Sequence, residues 1–200
     1  MTMDLADPTA VLLATAEAFE RAGIRIAAYG GLVLAAYGTP RETKDADLAV
    51  VAATGTEARA ALSAAGIDSL IAFDRVRFGG NRVTRLTLLP EAGGPALNTV
   101  DLVEPLSTRY AQGVFARALA GTLRAASLRL VTPEDFIILK VLSTRERDLE
   151  DASTVLTALS GRIDSAFIEQ EVALLGREIA DHDIAARYER VRALTIEPAR

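Results

Sequence analysis

The stretch KDADLAVVA, residues 44–52, limits the fold more than any other. From Ala46 it is apolar except at Asp47, and it is too short for a buried helix. A continuous apolar run suits a strand covered on both faces, which requires a sheet with helices on either side. Asp45 and Asp47 stand at its start, and alternate residues of a strand share a face. A third acid, Asp101, lies inside another β-type run, TVDLV. A carboxylate there is costly to bury without compensation. Were the two strands neighbours, three carboxylates would meet, and their repulsion would call for a divalent cation. The chain has no cysteine and one histidine, which excludes thiolate and multi-histidine metal sites and a Ser-His-Asp triad of the usual spacing. Oxygen ligands point to magnesium or manganese. His182 itself, in the polar run DHD, reads as a surface residue.

Gly30 and Gly31 lie between a short β run, 24–29, and an apolar segment, 31–37, that reads as about two helical turns closed by Gly38. Without side chains, a ligand can approach that backbone closely. Free N–H groups at a helix start favour an anion, so the pair is a candidate phosphate site. Only two of the 22 basic residues are lysines, Lys44 and Lys140. Lysine is a compact, mobile charge where arginine is a rigid fork. Lys140 either faces a phosphate or snorkels from a helix flank, and Arg41 either touches a phosphate or pairs with a structural carboxylate. Asp148 and Asp151 read as helix-capping and surface charge, and Tyr29 and Tyr37 as core packing.

The rest of the chain frames these residues. Asp7-Pro8 caps a helix that Gly23 stops. A capped helix is expected over 54–67, two alternating strands joined at GGN over 70–90, and a strand over 98–106. A helix around RYAQGVFARALAG and a short strand over 128–131 follow, and from Thr132-Pro133 onward the pattern is helical only. The expectation is an α/β (α+β) fold with a small mixed sheet flanked by helices over residues 1–132. A C-terminal helical region over 133–200 packs on it.

The glycine pair, the short helix, R-x-T-x-D-x-D running into an apolar strand, and the later lone aspartate together resemble the polymerase-β-type nucleotidyltransferase superfamily. More narrowly they resemble its AbiEii-like branch, which includes toxins of bacterial toxin–antitoxin systems. The segment carrying Lys140, Arg147, Asp148 and Asp151 is similar to that family's downstream K…RD-x-x-D pattern. The chain departs from many members in having Gly31 where they have serine. The resemblance implies that Asp45, Asp47 and Asp101 bind two Mg2+ (or Mn2+) ions, and that Asp101 helps activate an attacking hydroxyl. It implies that Gly30 and Gly31 hold phosphates, with Lys140 facing them; Arg41 and Lys44 join the candidate nucleotide contacts.

The expected activity is transfer of a nucleoside monophosphate from a nucleoside triphosphate to a hydroxyl acceptor. The acceptor would be an RNA such as a tRNA end, a protein or a small molecule; a toxin role with a cognate antitoxin, a housekeeping role and a resistance role all stay open. The alternative is a catalytically inactive nucleotide- or partner-binding protein on the same fold. The net charge of −5 argues against long duplex DNA as the main ligand. No apolar run is long enough to span a bilayer and no targeting signal is visible, so a cytoplasmic location with no membrane partner is expected.

Overall fold

In the computed structural model, residues 3–43, 46–50, 53–90 and 98–196 are described. The first helix, α1 (Pro8–Arg21), starts where the Asp7 carboxylate accepts from the N–H groups of Thr9 and Ala10. Strand β1 (Ile26–Tyr29) follows, then a turn and a four-residue 3-10 helix, Leu34–Tyr37. The expected two helical turns over 31–37 are therefore replaced by something tighter. Its first three residues form a turn in which the Val33 N–H donates to the Gly30 carbonyl. The short length between β1 and β2 (Ala46–Val50) leaves no room for a longer helix. Helix α2 (Gly55–Ala64) opens on a reciprocal capping box between Thr54 and Glu57.

Strands β3 (Ser69–Phe78) and β4 (Asn81–Leu88) form the expected hairpin around Gly79-Gly80. Gly79 has φ +63°, and a Cβ there would lie 2.6 Å from the Leu142 carbonyl oxygen. Strand β5 (Asn98–Pro105) leads into α3 (Thr108–Arg117). The helix expected to run through residue 121 stops at Arg117. Residues Leu119–Leu123 form β6 instead, pairing with β7 (Ala126–Leu130) as an antiparallel hairpin. Four helices complete the chain: α4 (Pro133–Leu142), α5 (Glu146–Ala158), α6 (Ser165–Glu178) and α7 (Ile184–Ile196).

Among the described residues the seven strands form one mixed sheet in the order β3-β4-β5-β2-β1-β7-β6. β2 and β5 are parallel neighbours, so the two acid-bearing runs meet at the centre. Helices α1 and α2 back one face. On the other face α4 lies against β1, where Phe136 packs on Tyr29 and Tyr37 with ring centroids 5.5 and 5.7 Å apart. Six apolar side chains of α4, from Phe136 to Leu142, are fully buried, as expected of a helix with no solvent face. One core cluster runs from Leu12 and Leu48 through Phe136 and Leu149 to Ile168 and Val191, joining the sheet to the C-terminal helices.

Candidate active site

Strand register brings a row of side chains across the sheet. Tyr29 on β1 is opposite Asp47 on β2, Asp47 opposite Asp101 on β5, Asp101 opposite Arg85 on β4, and Arg85 opposite Phe73 on β3. Laterally paired residues share a face, with strands roughly 4.8 Å apart. Asp47 and Asp101 are thus neighbours on the α4 face. Asp45 and Lys44 lie outside the described residues. Among the described residues, no three acids or histidines form a metal-holding group.

Asp101 is buried, and the Arg85 guanidinium grips it with two hydrogen bonds, Nε to Oδ1 at 2.7 Å and Nη2 to Oδ2 at 2.6 Å. This is the compensation that a carboxylate inside a strand requires. The donor set still suits a hard cation. Asp47 and Asp101 present adjacent carboxylates, and each Asp101 oxygen keeps a lone pair beyond its bond to Arg85.

The glycine pair is packed against the chain's own side chains. Gly30 has φ +79°, and a Cβ on it would sit 1.9 Å from Asp47 Oδ2. A Cβ on Gly31 would meet the Thr43 side chain at 2.8 Å. The space the sequence reserves for a ligand is thus filled by the chain's own Asp47 and Thr43. With only a 3-10 turn following, the helix-dipole argument for a phosphate there loses its helix.

Lys140 is also committed. Its ammonium, on a side chain 5% exposed, lies 2.5 Å from Asp148 Oδ1 and 2.9 Å from Asp151 Oδ2. It sits over the Tyr29 and Phe136 rings at 5.4 and 5.5 Å. The snorkelling alternative is thereby corrected: a fully buried helix offers no flank, so the charge must be paired inside. Asp148 and Asp151 are buried partners rather than surface charge. Arg41 takes the structural alternative, donating from Nε and Nη2 to the two Asp151 oxygens at 2.9 and 2.8 Å. Burial works to raise Asp151's pKa, but the bonds from Arg41 and Lys140 outweigh it and hold the carboxyl below its ordinary value. His182 is half-buried, with Nε2 3.4 Å from the Val141 carbonyl oxygen, not out on the surface.

One residue was missed in the sequence. Arg145, at the α4–α5 junction, has its Nε 3.3 Å from Asp148 and a side chain 66% exposed. Desolvation pulls its pKa down, but the charges of Asp148, Asp47 and Asp101 together hold it above the ordinary value. Among the described residues it is an exposed cation close enough to feel Asp47 and Asp101. A lone arginine between two helices carries no periodic or spacing signal, so only the folded chain reveals it.

No protein-family model matches the chain, and neither does any curated protein. Among solved structures, an antigenic nucleotidyltransferase-like protein from Paracoccidioides brasiliensis is 18% identical, with a TM-score of 0.50 over 96% of this chain and 95% of its own. The solution structure of the antibiotic-resistance factor ANT(2'')-Ia matches at 14% identity and TM-score 0.48, covering 87% of this chain and 97% of its own. ANT(2")-Ia in complex with adenylyl-2"-tobramycin matches at 13% identity and TM-score 0.46, covering 86% and 97%. The first of these, with the mixed sheet and its flanking helices, shows that the chain has a nucleotidyltransferase-like fold.

Proposed function

We propose that this protein transfers a nucleoside monophosphate from a nucleoside triphosphate to a hydroxyl acceptor. The observation that carries the reading is the register of β2 and β5, which sets Asp47 directly beside Asp101 on one face of a nucleotidyltransferase-like sheet. Asp47 and Asp101, with Asp45 beside them in sequence, would hold divalent cations, which supply charge neutralisation for the phosphates and for the attacking oxygen. The acceptor oxygen forms a bond to the α-phosphorus as the bond from that phosphorus to the bridging oxygen breaks. Pyrophosphate leaves with the electron pair, and the acceptor's proton passes to the carboxylates and on to water. Arg85 fixes the Asp101 carboxylate in one orientation, and Arg145 offers an exposed donor for a phosphate oxygen. Lys140 and Arg41 act one step back, by holding Asp148 and Asp151 against the site. The AbiEii-like assignment, and with it a toxin role and a cognate antitoxin, rests on the sequence motifs.

The test is pyrophosphate release from each of the four nucleoside triphosphates with magnesium or manganese, over a panel of RNA, protein and small-molecule acceptors. Asp47→Asn and Asp101→Asn should each lower turnover by about a hundredfold or more while leaving the circular dichroism unchanged. Full activity in either variant would refute the site. One observation favours a second reading, a binding protein that does no chemistry: Asp101 is already neutralised by Arg85. Calorimetry separates the two, since that protein binds nucleotide with no dependence on the divalent ion and releases no pyrophosphate.

A further inference from the structure

The sheet face that carries Asp47 and Asp101 continues onto the β3–β4 hairpin, where α4 covers Asn81 at one end and β3 is part-exposed. Leu70, Val76 and Phe78 are 53%, 42% and 40% exposed, and with half-buried Phe73 they share that face of β3 by register with Thr87, Val83, Asn81 and Arg85. Three exposed large apolar side chains on one strand face mark a binding surface rather than scattered exposure. The strand's edge is not what they serve. Register shifts on both sides of Phe73, and a φ of +51° at Arg75, break the ladder that another strand would need.

Two features point to the occupant. The Phe73 and Phe78 rings stand 5.9 Å apart at 54°, and the Arg85 guanidinium lies 5.6 Å from the Phe73 centroid while gripping Asp101. Rings and a guanidinium plane thus run in an unbroken line from the open face to the carboxylates. Exposed Arg145 and part-exposed Arg85, paired with Asp148 and Asp101, stand beside them. Aromatic faces for bases with a few arginines for phosphates is the chemistry of single-stranded nucleic acid. A net charge of −5 limits the phosphate contacts to a few, which suits a short single-stranded end and not a duplex.

We propose that the Phe73–Phe78 face stacks the terminal bases of a single-stranded RNA whose end hydroxyl is the acceptor at Asp47 and Asp101; the acceptor role, though not the stacking, rests on the transfer reading above. The test is fluorescence anisotropy of the full chain with a 5′-labelled oligoadenylate of about a dozen nucleotides, without nucleotide or metal. The same strand in a blunt duplex and sedimentation of the protein alone complete it. Phe73→Leu and Phe78→Leu keep the apolar volume and remove the ring, and each should weaken single-strand binding about tenfold, while Phe73→Trp retains it. Three results would overturn the proposal: no saturable binding below about 100 µM, equal affinity for the duplex, or a protein that self-associates through this face, released by Phe78→Glu, and ignores RNA. Pyrophosphate release with another acceptor, alongside indifference to RNA, would sink this inference and leave the transfer reading standing. RNA held by the two rings without any transfer would do the reverse.

Discussion

Replacing Lys140 by methionine tests the buried ion cluster most directly. Methionine keeps most of the stem's apolar volume, so the change isolates the ammonium. The wild-type charge touches two carboxylates at 2.5 and 2.9 Å on a side chain that is 5% exposed. Its loss leaves Asp151 with Arg41 but, among the described residues, leaves buried Asp148 with only the exposed Arg145 at 3.3 Å. Breaking a buried pair on one side costs about 3–5 kcal/mol. The surviving arginines bring the expectation to the lower part of that range, about 3 kcal/mol. Loss of two cation–π contacts adds about 1 kcal/mol, for a total of about 4 kcal/mol. For a chain of this length that is a fall in Tm of roughly 8–16 °C. Urea and thermal unfolding measure it. The triple variant Lys140→Met, Asp148→Asn, Asp151→Asn removes the stranded charges and should recover about half of the loss or more. A loss below about 1 kcal/mol for the single variant, or a triple variant no better than the single, would refute the view that the carboxylates depend on Lys140. Acid sharpens the test. Asp151 has a depressed pKa in the folded state, so its contribution is present above the ordinary carboxylate value and is lost as pH falls through the folded one. In the variant, that loss should be smaller and should end at higher pH.

Three further outcomes follow from the same geometry. Gly30→Ala forces a Cβ into Asp47 at a backbone angle of φ +79°, so it should cost about 1–3 kcal/mol in urea unfolding and reduce divalent-ion binding by calorimetry. Arg85→Met strips the partner from buried Asp101; added magnesium should then raise the variant's Tm by more than the wild type's, and equal shifts would show that no cation reaches Asp101. Tyr37 and Tyr110 have their pKa values raised chiefly by burial, with nearby Asp135 adding to it. The unfolded chain ionises them above about pH 10 while the folded one does not, so stability falls there by up to about 1.4 kcal/mol per pH unit for each. Their phenolate absorbance should rise together with unfolding, not before it.

The central strands were legible because burial on both faces writes a continuous apolar run, and a lone acid within it stands out. Asp47 and Asp101 were found on that signal, and their adjacency follows from the parallel pairing of β2 and β5. The β6 strand was not legible. LAGTL continues the apolar spacing of α3, and only its pairing with β7 decides between helix and strand. The glycine pair was located, but the close packing of Asp47 against Gly30 was not, because sequence does not show which side chain lies beside an absent Cβ. Lys140 poses the same kind of question. Two lysines among so many arginines mark a special position, but nothing in a one-dimensional pattern shows that its ammonium meets an aspartate on the next helix.

These corrections converge on charge balance. Among the described residues, Asp47, Asp101, Asp148 and Asp151 are interleaved with Arg41, Arg85, Lys140 and Arg145, so the cluster is close to neutral as it stands. A site of that kind needs no cation to hold its fold together, which removes folding as the reason for a metal. It does not remove catalysis as a reason. Two divalent ions carry as much positive charge as an ionised triphosphate carries negative, so the loaded site would be as balanced as the empty one. Binding would then exchange one set of neutral pairings for another, and the groups free to make that exchange are those nearest the open face. Exposed Arg145 fits that description, whereas Arg85 is held by Asp101 and Lys140 is buried against Asp148 and Asp151. On the transfer reading proposed above, the cation to meet an incoming phosphate would be exposed Arg145, while buried Lys140 holds Asp148 and Asp151.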